Sequence, residues 1–183
     1  TSSRVAVAGV APRLDQLFDL AGLDHGLERI AGLTGLRFAR TLPDEGRIRI
    51  GFLPRRRFDD LPPALLARGT QYRRLVSTSA CMVLLLRQPD ALDLSGAMII
   101  IASELPQEHR RHCLLEEFVQ SLGLPNDHCA YRPSLFCDRD SVLQLQPADE
   151  ILLRTLYSPR LQPGMTGLRG ERLLPVEPLI RWA

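Results

Sequence analysis

The sequence predicts an α+β fold built on one mixed, twisted sheet, and three observations support this prediction. Strand-like and helix-like segments alternate in the first part of the chain. Two apolar segments of strand length then follow each other, and two helix patterns come after them. The composition, with 45% hydrophobic and 24% charged residues over 183 positions, is that of a globular domain that can bury a full core.

The strands are predicted from short apolar or alternating segments in the first part of the chain. They cover residues 4–10, 36–41, 47–53, 81–87 and 96–103. Helical periodicity begins after Pro12 and continues to Ala31, and the pair Pro62-Pro63 predicts a short helix over residues 64–67.

The period changes after residue 104. Pro106 begins a helix that continues to about Leu122 and ends at Gly123. An irregular loop follows, and Pro147 begins the last helix, through Leu156. We predict a single domain, 1–183, with a sheet-rich part at 1–105, the site helix, turn and C-terminal helix at 106–157, and an irregular tail at 158–183.

The charge is nearly balanced, with 23 basic and 21 acidic residues, and every basic residue is arginine. This balance does not predict a nucleic-acid partner, and the clusters at 55–57, 73–74 and 110–111 are interpreted as solvated surface. The longest apolar stretches, 82–86 and 97–102, are far shorter than the ~20 residues of a membrane-spanning helix.

The helix after Pro106 carries a polar pattern opposite an apolar one. Leu115, Phe118, Val119 and Leu122 share one side, which we predict to be the core side. The opposite side presents Glu116 and Gln120 and then Gly123, with Glu117 at the flank.

These residues have the spacing of the metzincin zinc-peptidase helix, His-Glu-x-x-His-x-x-Gly-x-x-His, which the segment resembles. In that frame Glu116, Gln120 and Asn126 stand at the three ligand positions that zinc peptidases fill with histidine. Glu117 stands at the general-base position, and Gly123 stands where the chain turns. The resemblance implies a cleft with degenerate metal ligands.

The chain that follows continues the resemblance. Ser134, Phe136 and Asp138 are similar to the Ser-x-Met turn beneath the metzincin metal, with phenylalanine in the methionine position. Residues 145–157 resemble the matrixin C-terminal helix, and the preceding order of elements resembles the matrixin half-domain.

A closer resemblance is to a bacterial domain family of unknown function, number 2927. Its three motifs match residues 113–127, 134–138 and 156–165. The resemblance is specific in sequence over residues 112–166, whereas before residue 112 it extends only to the order of the elements. It implies a zincin-like fold, usually on exported proteins, and supplies no known activity.

Several interpretations of the polar cluster follow. We expect Glu116, Gln120 and Asn126 to form a hydrogen-bonded network without a cofactor, because amide carbonyls are weak zinc ligands. The alternatives are a zinc hydrolase with Glu117 as general base, a calcium site that adds Asp127, and a shifted metal site. The shifted site would use His112, Glu116 and His128.

The four cysteines fit two disulfides and therefore an oxidising compartment, although three pairings are possible. From their placement on the helix, the preceding strand and the following loop, we predict Cys81–Cys113 and Cys129–Cys137. A nucleophilic pair of Cys113 with His112 is disfavoured because adjacent helix residues do not face each other.

The predicted function is that of an exported, periplasmic or extracellular bacterial domain. We expect it to be catalytically inactive and to bind a peptide or protein of the cell envelope. An extended peptide can add to an edge strand of the sheet through backbone hydrogen bonds. An active metallopeptidase and a structural module of an envelope assembly are the alternatives. The sequence predicts neither the partner nor the oligomeric state.

Overall fold

The computed structural model describes residues 2–7, 13–42, 45–61, 76, 78–86, 94–137, 139–162 and 165. The strands are β1 (Ser2–Val7), β2 (Arg37–Thr41), β3 (Ile48–Leu53), β4 (Cys81–Leu86) and β5 (Gly96–Ala102). The helices are α1 (Leu14–Thr34), a 3-10 helix (Arg55–Asp60), α2 (Gln107–Gln120) and α3 (Pro147–Leu156). The α+β class and the order of these elements confirm the prediction, whereas the short helix predicted over 64–67 lies outside the described residues.

The sheet is mixed, and its strand order is β2-β1-β3-β5-β4. The first four strands in that order run parallel to one another. Strand β4 is antiparallel to β5, with Cys81 opposite Ile101 and Leu86 opposite Gly96. Within the described part of the chain β4 is therefore an edge strand.

Each face of the sheet packs against its own apolar cluster, because side chains alternate along a strand. On the helix side, Ile99 and Ile101 of β5 join the large core formed with α1, α2 and α3. On the other side, Ile100 and Met82 pack against Phe58 of the 3-10 helix. This alternation places the odd-numbered residues of β4 toward the helices.

Helix α1 packs on α2. Its buried apolar stripe consists of Leu20, Leu23, Leu27 and Ile30, at helical spacing. Leu14, Leu17 and Phe18, which the periodicity placed on the same helix face, are 70%, 48% and 63% exposed. The apolar pattern of the sequence therefore identifies the helix correctly but assigns too much of it to the core.

Candidate functional site

Helix α2 carries the polar residues that the sequence singled out, and its residues 112–120 are buried on every side. Glu116, Glu117 and Gln120 are only 5%, 6% and 4% exposed. The side of α2 that the sequence places opposite the apolar one is therefore covered as well. The reason is that α2 contacts α1, β4 and β5 while the chain after it folds back over the remaining side.

The two glutamates lie close to the disulfide that joins α2 to β4. One carboxylate oxygen of Glu116, one of Glu117 and the Sγ atom of Cys81 all lie within 4.8 Å of one another. This Sγ atom is bonded to Cys113. It is therefore not a thiolate, the form in which cysteine binds a metal, and the group is left with two carboxylates.

His112 links α2 to the loop that precedes α3. Its Nδ1 atom lies 2.7 Å from the carbonyl oxygen of Val142, so the ring donates an N–H there. Its Nε2 atom lies 3.4 Å from a carboxylate oxygen of Glu116, and the ring is 6% exposed. The loop that precedes α3 therefore covers His112, and the ring is not solvated.

The structure brings together only two of the three residues predicted for the shifted metal site. His112 and Glu116 are neighbours, whereas His128 is an exposed loop residue whose Nδ1 atom accepts a hydrogen bond from the Ala130 amide at 3.2 Å. In the described residues, His128 belongs to no group of three candidate ligand residues with donor atoms within 4.8 Å.

Gln120 holds the loop after α2 rather than facing an open site. Its Nε2 atom donates to an Asp127 carboxylate oxygen at 2.6 Å. Gly123, with φ of 120°, makes the turn between them, in a conformation that side chains rarely adopt. Asn126 is exposed on this loop. This hydrogen bond joins Gln120 to Asp127, which lies outside the predicted network of Glu116, Gln120 and Asn126.

The turn at Ser134 and Phe136 is buried, and Asp149 of α3 organises it. One Asp149 oxygen accepts a hydrogen bond from Ser134 Oγ at 2.7 Å. The other accepts from the amides of Leu135 at 3.0 Å and Gln146 at 2.8 Å. Asp149 lies in the first turn of the helix that Pro147 begins, and the sequence pattern did not indicate its hydrogen bonds to the turn. The predicted turn residue Asp138 lies outside the described residues.

Two further contacts fix the same region. Arg132 donates to Asp140 at 2.6 Å, and this hydrogen bond lowers the pKa of the Asp140 carboxyl. The Tyr157 hydroxyl donates to the Leu122 carbonyl at 2.9 Å, and its burial raises the Tyr157 pKa to about 12. These contacts join the turn and α3 to the end of α2.

Arg110 is the polar residue that sequence reasoning misplaced most clearly. The sequence predicts a solvated side chain, but Arg110 is only 4% exposed. Its guanidinium donates to Asp19 at 2.7 Å, to Asp15 at 2.9 Å and to the Leu105 carbonyl at 2.6 Å. A signal was present, because Arg110 lies four and eight residues before the fully buried Leu114 and Phe118, on the same face of α2.

Both predicted disulfides are confirmed. Cys81–Cys113 joins the edge strand to α2, and Cys129–Cys137 closes the loop that leads into the buried turn. None of the helices in the described residues has the length and apolar character that crossing a membrane requires.

The fold and the site define a disulfide-linked α+β domain in which a buried polar helix lies beside the edge strand of a mixed sheet. The sequence profile of the family described as Protein of unknown function (DUF2927) matches residues 1–175, and the chain belongs to this family. A comparison with curated proteins finds no match.

Proposed function

We propose that this protein is a zincin-like domain that has lost its metal chemistry and binds an extended peptide along β4, as part of an exported protein of the bacterial cell envelope. The observation that carries the proposal is the edge position of β4, next to the helix that resembles a peptidase helix. An added strand obtains affinity from main-chain hydrogen bonds, and these need no metal ion.

The hydrogen-bond pattern indicates which backbone groups of β4 can receive a peptide. The Ala102 amide donates to the Ala80 carbonyl at 2.8 Å, and this bond continues the register of β4 with β5. Because hydrogen-bonded and non-hydrogen-bonded pairs alternate along antiparallel strands, the even-numbered residues of β4 exchange hydrogen bonds with β5. The N–H and C=O groups of Cys81, Val83 and Leu85 therefore point away from β5. Within the described residues, no backbone hydrogen bond from outside the sheet reaches these three positions.

The disulfide supports this role because it fixes the edge strand before any ligand arrives. Cys81 is the first residue of β4, and its bond to Cys113 attaches the strand to α2. A strand that is already ordered loses little conformational entropy on binding.

The two disulfides, Cys81–Cys113 and Cys129–Cys137, also support export, because such bonds persist in oxidising compartments.

The surroundings of Gln120 and Asn126, which stand at metal-ligand positions of the metzincin frame, support the loss of metal chemistry. Gln120 donates to Asp127, and Asn126 lies exposed on the loop beyond it. An amide oxygen is a poor replacement for the imidazole that catalytic zinc sites use. Gln120 holds the loop after α2 instead.

One observation favours a hydrolase as the second candidate. Glu116 and Glu117 bring two buried carboxylates within 4.8 Å of each other, and Glu117 holds the general-base position of the resemblance. A hydrolase predicts a stoichiometric transition metal in protein purified without chelator and peptide cleavage that Glu117→Gln abolishes. The binding proposal predicts that Glu117→Gln leaves peptide affinity nearly unchanged.

The direct test replaces Val83 by proline. Val83→Pro removes an N–H that points away from β5, so it leaves the ladder with β5 intact and blocks an added strand. Peptides would be selected against the wild-type protein from a random display library, and their affinity measured by calorimetry. We expect Val83→Pro to weaken binding by at least about tenfold, which corresponds to roughly 1.4 kcal/mol.

Val83→Thr is the matched control, because it keeps the outward N–H and the shape of the side chain. We expect it to bind the selected peptides within about threefold of wild type, roughly 0.6 kcal/mol, and both variants must melt as cooperatively as wild type. Failure to select any peptide, or equal affinity for Val83→Pro, would contradict the proposal.

A further inference from the structure

A second candidate binding site lies on the helix side of the molecule, away from the outward edge of β4. It is a cleft of about 400 Å³ between α1, α2 and the segment 143–145 before α3. The side chains that matter for its chemistry are Asp19, Leu23, Arg29, Arg111, Leu115 and Glu150. The volume is that of a site for a small molecule rather than for a folded partner.

The two carboxylates of the cleft are already paired. Glu150 receives two hydrogen bonds of 2.6 Å from Arg29, through both of its oxygens. Asp19 accepts the 2.7 Å hydrogen bond from Arg110. Each acidic side chain of the wall is therefore in an ion pair, although Arg110 also pairs with Asp15 and the buried Oδ1 atom of Asp19 has no hydrogen-bond partner in the described residues.

Arg111 is the unmatched charge of the cleft. In the described residues its guanidinium has no hydrogen-bond or ion-pair partner. His25 is the other basic side chain of the lining that lacks such a partner there, and it is exposed. The cleft thus carries one permanent positive charge that a bound anion can neutralise.

Gly22 positions this charge. A Cβ atom at Gly22 would lie 2.7 Å from the Arg111 Nη2 atom, so the guanidinium lies against α1 where a side chain would exclude it. The remaining wall includes the buried Leu23 and Leu115 together with Leu143 and Leu145. The cleft therefore places the Arg111 guanidinium beside an apolar wall. This arrangement complements a ligand that has one anionic group and an aliphatic chain.

We propose that this cleft binds a small aliphatic monocarboxylate, with its carboxylate paired to the Arg111 guanidinium. The guanidinium fork matches the two oxygens of a carboxylate, which makes arginine suited to this recognition. The proposal is independent of peptide binding at β4, because Arg111 and the cleft walls belong to other elements.

The test is a calorimetric and NMR titration of the oxidised, full chain with hexanoate. We expect a Kd in roughly the millimolar range for a ligand of this size. 1-Hexanol and hexylamine, which keep the chain but not the anion, should each bind at least about tenfold more weakly, because they cannot pair with the guanidinium. Arg111→Gln should weaken hexanoate by at least about tenfold for the same reason.

Two variants make the test specific. Arg56→Gln removes an exposed arginine of the 3-10 helix and should leave hexanoate binding unchanged. Gly22→Ala should displace the guanidinium and weaken hexanoate while α1 keeps or gains stability from its better helix propensity. The proposal is overturned if hexanoate does not bind, if 1-hexanol binds equally well, or if Arg111→Gln and Arg56→Gln bind hexanoate alike.

Discussion

Arg110→Met is expected to lower the free energy of unfolding by about 3–5 kcal/mol, because it leaves a buried carboxylate without its cation. Asp19 is 1% exposed and Arg110 4%, and they meet through a 2.7 Å hydrogen bond between α1 and α2. For a chain of this size the loss corresponds to a decrease of roughly 10 °C in Tm. Urea unfolding followed by circular dichroism measures it.

The neighbouring Arg111→Met supplies the control. Arg111 is exposed and has no ion pair in the described residues, so its removal should change the free energy of unfolding by less than about 0.5 kcal/mol. Combining Asp19→Leu with Arg110→Met should recover much of the loss, since both buried charges are then absent. Equal stability of Arg110→Met and Arg111→Met would contradict the burial of this ion pair.

Removing the Cys81–Cys113 disulfide is expected to have the second large effect. The two cysteines are 32 residues apart, and a closed loop of that length reduces the entropy of the unfolded chain enough to stabilise the fold by about 4 kcal/mol. We expect this loss for the Cys81→Ala, Cys113→Ala double variant in guanidinium unfolding.

The second disulfide provides an internal comparison. Cys129 and Cys137 are 8 residues apart, and the same relation predicts about 2.5 kcal/mol for their removal. Reducing agent should lower the Tm of wild type and leave a variant that lacks all four cysteines unchanged. A wild-type Tm that is insensitive to complete reduction would contradict both predictions and remove the support for export.

Local patterns were sufficient to predict most elements of the fold. The strand β5 is a short apolar segment, and α3 begins at Pro147 and extends to Leu156, as the sequence predicted. Pairing Cys81 with Cys113 followed from the placement of a strand start next to a helix. These features depend on neighbouring residues or on the order of elements, which a sequence shows directly.

The site was predicted less completely because its surroundings come from distant segments. Arg110 is 91 residues from Asp19, and His112 is 30 residues from Val142. Periodicity assigned one apolar side to α2 but could not show that a later loop covers the polar side. The exposure of Phe18 was not predicted for the same reason. Helical spacing shows which residues share a face, but it does not show how far along the helix a packing partner extends.

The most direct test of the central claim is amide hydrogen exchange at β4, measured by NMR with and without a peptide selected from a display library. The amides of Val83 and Leu85 point away from β5, whereas those of Met82 and Leu84 already bond to it. If a peptide adds to β4, its binding slows exchange at Val83 and Leu85 by at least about tenfold, because new hydrogen bonds form there. Unchanged exchange at these two amides, with protection elsewhere in the chain, would contradict strand addition at β4.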